Sequence, residues 1–374
     1  MIGSISKVRP CGHHHYYKYA HIESNTSKVA GNTNNRFYFI ERDYVKDIYI
    51  DNCWGPFSLH NAKSIYGCSF EDGRFTKFKA HTPNLQSAGE MFTADNGKTS
   101  PAVTEIEMNY DKLTGCTSLF YGFRIKELPK NFNPISRNFH HLFGGGCGKN
   151  LSELHGGVFP YYQIINEATN VEYLFRSIAA SISDEYTFEN AINAWGMFYS
   201  DGYWDSVKKC PKNLSLKNAT SIGRAFNNCN ASTFTQFQTK DEMSKLTTAS
   251  YAFHGCTYLA SLYPDYESFN LPKLSTADGM FNNCKLDKPS IIKLSDALPD
   301  WSSNTATHSI TIGCHIDHKY DPDVNIALKK LNHNYVTPIE EAGSTLPQSI
   351  TTSKNWTLTI QWNGTATSNA YPAP

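Results

Sequence analysis

The sequence predicts an α+β repeat solenoid, in which short strands alternate with short helical or 3-10 arcs. The first observation behind this prediction is a motif centred on phenylalanine, which recurs eight times along the 374 residues. The second is composition: 40% of the residues are apolar, with 22 Phe, 22 Tyr and 6 Trp, too many for a disordered chain. A repeat of fewer than 35 residues cannot bury its own apolar face, so neighbouring copies must stack.

Four copies of the motif align without gaps. They share Leu or Ala, any residue, Ser or Thr, Ala or Ile, two variable residues, Ala or Met, and then Phe; three of them add two residues and Cys. These four segments are Leu85–Phe92, Ala219–Cys229, Leu246–Cys256 and Leu274–Cys284.

Four looser copies complete the series, with spacings between successive Phe residues of 28, 23, 32, 23, 28, 27 and 28. Because stacked copies place equal positions above one another, we expect one column of Phe and one of Cys in the core. The Phe column is Phe92, Phe120, Phe143, Phe175, Phe198, Phe226, Phe253 and Phe281, and the Cys column is Cys229, Cys256 and Cys284.

Within a copy the apolar spacing changes. Tyr258–Tyr263 alternates and ends before a proline, which predicts a short strand. Leu274, Ala277 and the Met280–Phe281 pair recur every three to four residues, which predicts a short helical or 3-10 arc.

The runs LPKLSTADGMFNNCKL, TSIGRAFNNC and TTASYAFHGCTYLASLYP resemble the BspA-like class of leucine-rich repeats, over about residues 60–315. The resemblance implies a leucine-rich-repeat fold and a binding function, because such proteins are surface adhesins and binding proteins of gut bacteria, of the bacteriophages of those bacteria, and of some protists. It brings no catalytic motif.

Three parts are expected: residues 1–60, residues 61–300 with about eight coils, and residues 301–374. The first is a β-rich cap or attachment module, with strands at Arg36–Ile40 and Val45–Ile50. The polar stretch Glu23–Asn35 is expected to be a loop.

Residues 301–374 are expected to form an α/β cap and a tail. Alternation predicts strands at Thr307–Gly313 and Thr352–Trp362, and Asp323 is expected to cap the helix between them. The apolar face of that helix is Val324, Leu328 and Leu331. The arrangement is similar to the C-terminal cap of repeat proteins in gut Bacteroidales and their phages.

The ten cysteines include no Cys-x-x-Cys pair, so we interpret them as small buried side chains, with disulfides as the alternative. Charge is balanced at 34 basic and 34 acidic residues. This balance argues against nucleic acid or an anionic membrane as partner, and no apolar run is long enough to span a membrane.

We predict no catalytic residue, metal or cofactor. Adjacent side chains in Cys11–His15 point to opposite sides of an extended chain, so three histidines cannot easily meet one ion. Asp321–Asn325 departs from a calcium loop, and Phe143–Lys149 lacks the ending of a phosphate-binding loop. Asp201 and Asp205 could in principle cleave a glycoside, at a separation that sequence does not set.

The binding residues we favour are Tyr199, Asp201, Tyr203 and Trp204, which follow the Phe198 copy directly. Aromatic faces beside carboxylates suit sugar rings, through stacking and hydrogen bonds to hydroxyls. The alternative is that these aromatic residues pack over an irregular copy.

The predicted function is non-enzymatic recognition of a host-surface glycan or protein by a phage virion adhesin associated with the tail or a fibre. Residues 1–60 would bind other virion proteins, and a homo-oligomer is possible. A start without an apolar leader favours the virion; the alternative is a bacterial surface protein whose leader is missing from this sequence. Two alternative functions stay open: a structural decoration protein that binds only neighbouring subunits, and a polysaccharide-cleaving tailspike.

Overall fold

The chain is represented by a computed structural model that divides into two compact units. The first comprises residues 1–160 and 174–178, and the second comprises residues 161–173 and 179–374. The residues described are 20–25, 34–39, 47–50, 64–65, 77–80, 82–92, 105–122, 125, 127–144, 158–159, 161–178, 181–200, 211–262, 270–347 and 350–365.

Most strands are short, as expected when loops connect closely spaced copies. The strands are β1 (Ala20–Asn25), β2 (Asn34–Phe39), β3 (Asp47–Ile50), β4 (Ser64–Ile65), β5 (Lys77–Ala80), β6 (Glu105–Glu107), β7 (Val158–Phe159), β8 (Ser181–Ile182), β9 (Gln236–Phe237), β10 (Ser261–Leu262), β11 (Ala277–Leu286), β12 (His308–His315) and β13 (Trp356–Asn363). The helices are α1 (Tyr162–Asn166), α2 (Lys288–Ala297), α3 (Pro322–Leu331) and α4 (Pro338–Glu341), and Ile316–His318 forms a 3-10 turn.

The N-terminal strands correct one expectation. β1 pairs antiparallel with β2, from Ala20 opposite Phe39 to Asn25 opposite Asn34. The predicted loop Glu23–Asn35 therefore begins and ends inside strands. Its polar residues do not prevent pairing, because backbone groups and not side chains form the ladder.

The remaining strand pairs of the first unit are parallel, and two of them cross the predicted boundary at residue 60. β2 pairs with β4, and β5 lies between β3 and β6. Asp47 is opposite Lys77, which is opposite Glu105. These separations of 30 and 28 residues are close to the repeat spacing, so the parallel pairing begins before the first aligned copy.

Backbone hydrogen bonds join equal positions of successive copies. In the second unit, parallel bridges run along one column: Asn170, Asn193, Ser221, Thr248 and Thr276. Three positions after Ser221, the N–H of Arg224 donates to the carbonyl of Ser250 (2.9 Å), and two positions after that the N–H of Phe226 donates to the carbonyl of Ala252 (2.7 Å). Each copy thus satisfies backbone groups of the preceding one, which buried polar groups require.

The Phe side chains of the first unit lie one above another. Phe92 stacks on Phe120, with ring centroids 5.9 Å apart and planes 11° apart. Phe143 stacks on Phe120 at 6.4 Å and on Phe175 at 6.5 Å. All four side chains are fully buried.

The second unit has its own Phe column with a Cys column beside it. The ring centroid of Phe226 lies 5.3 Å from that of Phe198 and 5.2 Å from that of Phe253, and Phe281 continues the column. The buried thiols donate to carbonyls of the preceding copy: Cys229 to Phe198, Cys256 to Phe226 and Cys284 to Phe253, at 3.0–3.3 Å. Burial raises the pKa of the Cys256 thiol, and none of the five cysteines within the described residues forms a disulfide.

The predicted helical arcs differ from the observed backbone. Around Phe281 the chain is the strand β11, and in the Phe226 copy it is a series of turns, with Ala225 N–H bonded to Ile222 and Cys229 N–H to Phe226. A left-handed residue, Arg224 (φ 55°), lies between inward-facing positions and interrupts any helix.

The C-terminal elements form a parallel sheet in the order β11, β12, β13, with helices connecting its strands. The predicted strand at Thr307–Gly313 is present as β12, and the last strand begins four residues later than Thr352. Because β11 belongs to the Phe281 copy, the predicted boundary at residue 300 divides a single sheet.

The cap of α3 is also corrected. Asp321, not Asp323, is the N-cap: its carboxylate accepts the N–H groups of Asp323 (2.9 Å) and Val324 (3.2 Å). Pro322 occupies the first helical position, where its fixed φ and missing N–H are tolerated. Asp321 also contacts the Lys288 ammonium at 3.0 Å, which links the start of α3 to the start of α2.

Lys354 and Trp356 fasten β13 to the end of α2. The Lys354 ammonium donates to the carbonyls of Ser295, Asp296 and Leu298 at 2.6–2.8 Å, which satisfies acceptors that a helix C-terminus leaves open. The Trp356 indole N–H donates to Pro299 (3.0 Å). These contacts fix the position of the sheet's last strand.

Candidate functional site

The residue two positions before each Phe is left-handed in all eight copies. This position, called −2 and counted from the Phe, is flanked by buried positions, so its side chain is directed away from the core. In the Phe226 copy, for example, Ile222, Ala225 and Phe226 are buried while Arg224 is exposed. The eight residues are Glu90, Ser118, His141, Tyr173, Gly196, Arg224, Tyr251 and Gly279, with φ between 51° and 62°.

In the second unit, large aromatic residues at positions −3 and −2 lie over glycines at the same position of the next copy. A Cβ built on the glycine would collide with the aromatic ring in each case. The pairs are Tyr173 over Gly196, Trp195 over Gly223, and Tyr251 over Gly279. The absent side chain on one copy therefore makes the space for the ring of the preceding one.

Tyr173, Trp195 and Tyr199 form one cluster. The Trp195 indole N–H donates to the Tyr173 hydroxyl (3.2 Å), and Tyr173 meets Tyr199 edge to face at 6.0 Å between centroids. All three side chains are half-buried. Beside them, the Asn193 amide donates to the Glu172 carboxylate (3.0 Å).

Arg224, Tyr251 and His254 form a second cluster. The Arg224 guanidinium lies 5.6 Å from the Tyr251 ring centroid, and His254 meets that ring edge to face at 5.7 Å. Burial and then the Arg224 charge lower the pKa of His254. A neutral ring can accept a hydrogen bond from the Asn282 amide, whose nitrogen lies 3.0 Å from His254 Nδ1.

We name Tyr173, Trp195, Tyr199 and Tyr251 the aromatic row. Trp195 lies over Gly223, the residue directly before Arg224, and Arg224 in turn contacts Tyr251, so the two clusters are adjacent. Tyr251 is 39% exposed. The row presents partly exposed rings, three of which lie over a glycine of the next copy.

Of the predicted binding residues, Tyr199 lies in the aromatic row. Asp201, Tyr203 and Trp204 lie outside the described residues, as do Asp205 and Cys11–His15. The other members of the row were not predicted as binding residues. The signal that could have found them is the alternation of a large aromatic residue and a glycine at one position of successive aligned copies.

Two further features are absent from the described part of the chain. No group of three His, Cys, Asp or Glu there is arranged to hold a metal ion. Among the same residues, no helix is both long enough and apolar enough to cross a membrane.

Comparison of the chain with protein-family models, with curated proteins and with solved structures gave no match in any of the three. Function is therefore inferred from the arrangement of the side chains.

Proposed function

We propose that this protein is a non-enzymatic binding protein of leucine-rich-repeat type, and that its aromatic row recognises a glycan on a host-cell surface. The observation that carries the proposal is the placement of Tyr173, Trp195 and Tyr251 over glycines of the next copy. The glycines leave space for the rings at the surface, whereas any larger residue at the same positions would collide with them.

The chemistry of the row suits a sugar ring. The apolar face of a pyranose stacks on an aromatic ring, and nearby polar groups orient its hydroxyls. Glu172, Asn193 and Arg224 supply carboxylate, amide and guanidinium groups within the same copies as the rings. Because the rings are held by backbone and ring contacts, little conformational entropy is lost when a ligand binds.

The solenoid part of the proposal is supported by the order of the copies. Parallel bridges at one position and stacked Phe rings at another are what successive coils of a solenoid require. A solenoid would present the rings of the aromatic row on three of four successive coils, with Arg224 on the coil that carries no ring of the row.

The test is binding of purified protein to intact gut Bacteroidales cells and to their isolated capsular polysaccharide. We expect saturable binding, weakened about fivefold or more by Trp195→Ala and by Tyr251→Ala, since stacking on one aromatic residue contributes on the order of 1 kcal/mol or more. Tyr258→Ala is the matched control, because Tyr258 is 47% exposed and lies outside the row. Equal binding by all three variants would contradict the proposal.

Polysaccharide length is followed in the same samples. An adhesin leaves the length unchanged, whereas shortening of the polymer would establish the tailspike alternative. Absence of binding together with unchanged length would favour the decoration alternative, in which the partners are neighbouring virion subunits. The virion location remains a prediction from the family resemblance.

A further inference from the structure

The strand β13 lies at the end of its sheet. β12 pairs with it along all eight residues, from His308 opposite Trp356 to His315 opposite Asn363. At the opposite end, β11 receives hydrogen bonds from the Phe253 copy. Within the described residues, β13 therefore has a strand neighbour on one side only.

The residues of β13 themselves do not protect this edge against pairing. Edge strands are commonly shielded by charged residues, proline or bulges. The sequence of β13, WTLTIQWN, has no charge and no proline, and its register with β12 is regular. An eight-residue edge of β-branched and aromatic residues is a surface that accepts another strand.

The two faces of β13 differ. Trp356, Leu358 and Ile360 share the face on which Trp356 is fully buried, and Leu358 and Ile360 are only half-buried there. Thr357 and Thr359 point the other way and are exposed. A partner strand must therefore be apolar on one face and polar on the other.

The sequence of β13 meets that requirement against itself. With a two-fold axis perpendicular to the sheet at Thr359, two copies pair antiparallel, and each face of one copy continues the same face of the other. Apolar residues then oppose apolar ones and polar residues oppose polar ones, with no like-charge contact. The opposed pairs are Trp356 with Trp362, Thr357 with Gln361, Leu358 with Ile360, and Thr359 with Thr359 of the second copy.

We propose that a second copy of this chain pairs with β13, joining the two sheets into one of six strands. The dimer brings together two chains and hence two aromatic rows, but it does not depend on glycan binding. Gln361 can pair with the second copy because its side chain already has a fixed position: its Oε1 accepts the Asn283 N–H (2.8 Å). The Gln361 side chain crosses Gly313 to reach Asn283. Gly313 has no room for a side chain, since a Cβ there would lie 2.5 Å from the Phe281 carbonyl oxygen.

The first test measures the mass of the full chain by sedimentation velocity over a range of concentrations. We expect a monomer–dimer equilibrium, and we expect Thr359→Lys to raise the dimer dissociation constant about fivefold, because two lysines then face each other. Thr359→Asp should act alike, and mixing the two variants should restore the dimer. The matched control is Thr357→Lys, which faces the uncharged Gln361.

A second test does not rely on charge. Residues opposite each other at a two-fold axis are close enough for a disulfide, so Thr359→Cys should cross-link under mild oxidation, as mapped by peptide mass spectrometry. Thr357→Cys should not. A wild-type chain that stays monomeric overturns the proposal. Equal cross-linking of the two variants also overturns it.

Discussion

The ring of Phe253 lies parallel to the ring of Phe281, with centroids 5.2 Å apart and planes 1° apart. The two residues are 28 positions apart and occupy the same place in successive copies. The contact also brings their backbones together, since the Phe253 N–H donates to the carbonyl of Met280 (2.8 Å). The stacked rings of the core and the hydrogen bonds between the backbones of successive copies therefore repeat with the same period along the chain.

Phe253→Ala is expected to destabilise the protein by about 3–5 kcal/mol, because it opens a cavity between two stacked rings. Chemical denaturation followed by circular dichroism measures the free energy of unfolding. Phe253→Leu is the control that keeps most of the volume, and it should cost clearly less. A loss below about 1 kcal/mol for the alanine variant would contradict close packing of the column.

Ser118→Gly is expected to stabilise the protein by roughly 0.5–1 kcal/mol. Ser118 has φ 54°, a conformation that penalises any residue with a Cβ and that glycine adopts freely. Gly196 and Gly279 already occupy this position in other copies. The neighbouring variant Thr117→Gly has no left-handed strain to relieve and should destabilise; if both variants shift the unfolding midpoint alike, the strain argument fails.

Gly223→Ala is expected to displace Trp195, because the new methyl group would occupy the space of the indole ring. The variant should lose stability by about 1–3 kcal/mol, as overpacked sites do, and should shift the tryptophan emission. The loss should be smaller when Trp195 is also alanine, since the colliding ring is gone. Gly115→Ala is the matched control, because its new methyl would lie nearest to the small side chain of Ser87, whose hydroxyl oxygen is 3.0 Å away.

Acid is expected to destabilise the first unit through His141. Burial, then the charges of His140 and Arg176, lower the pKa of His141 to about 4. The unfolded chain, with a histidine pKa near 6.5, binds the proton more readily than the folded chain does. The free energy of unfolding is therefore unaffected by His141 above about pH 6.5, and it decreases as the pH falls from 6.5 toward 4.

Unfolding free energies measured between pH 7 and 4 check this dependence. His141→Asn should flatten the slope, since asparagine carries no titrating group and tolerates the local φ of 57°. A slope unchanged by the substitution would show that His141 is not the group responsible. Part of the slope should remain, because burial also lowers the pKa of His254.

The sequence alone was informative wherever a pattern repeats locally. The spacing of the Phe motif identified the residues that lie buried in two stacked columns, and alternation located β12 and most of β13. These predictions succeed because a buried position and a strand face each impose a period on neighbouring residues, which is visible without knowing what lies across from them.

The local signal was insufficient where two candidates compete. Asp321 and Asp323 both precede the apolar positions of α3, and either could cap it by residue type. Pro322 decides for Asp321, since proline is favoured at the first helical position. The prediction of helical arcs failed for another reason. The three- to four-residue spacing of Leu274, Ala277 and Phe281 also fits an extended chain that contains left-handed residues, because such residues change the backbone direction so that the same side chains face the core.

What the sequence by itself determined is the period of the chain and the identity of the residues that face its core. Only the tertiary structure decided that Trp195 lies over Gly223, that Arg224 meets Tyr251, and that β13 pairs with β12. Each depends on which residue of one copy lies beside which residue of the next. That alignment is set by hydrogen bonds between segments more than twenty residues apart, so no local pattern contains it.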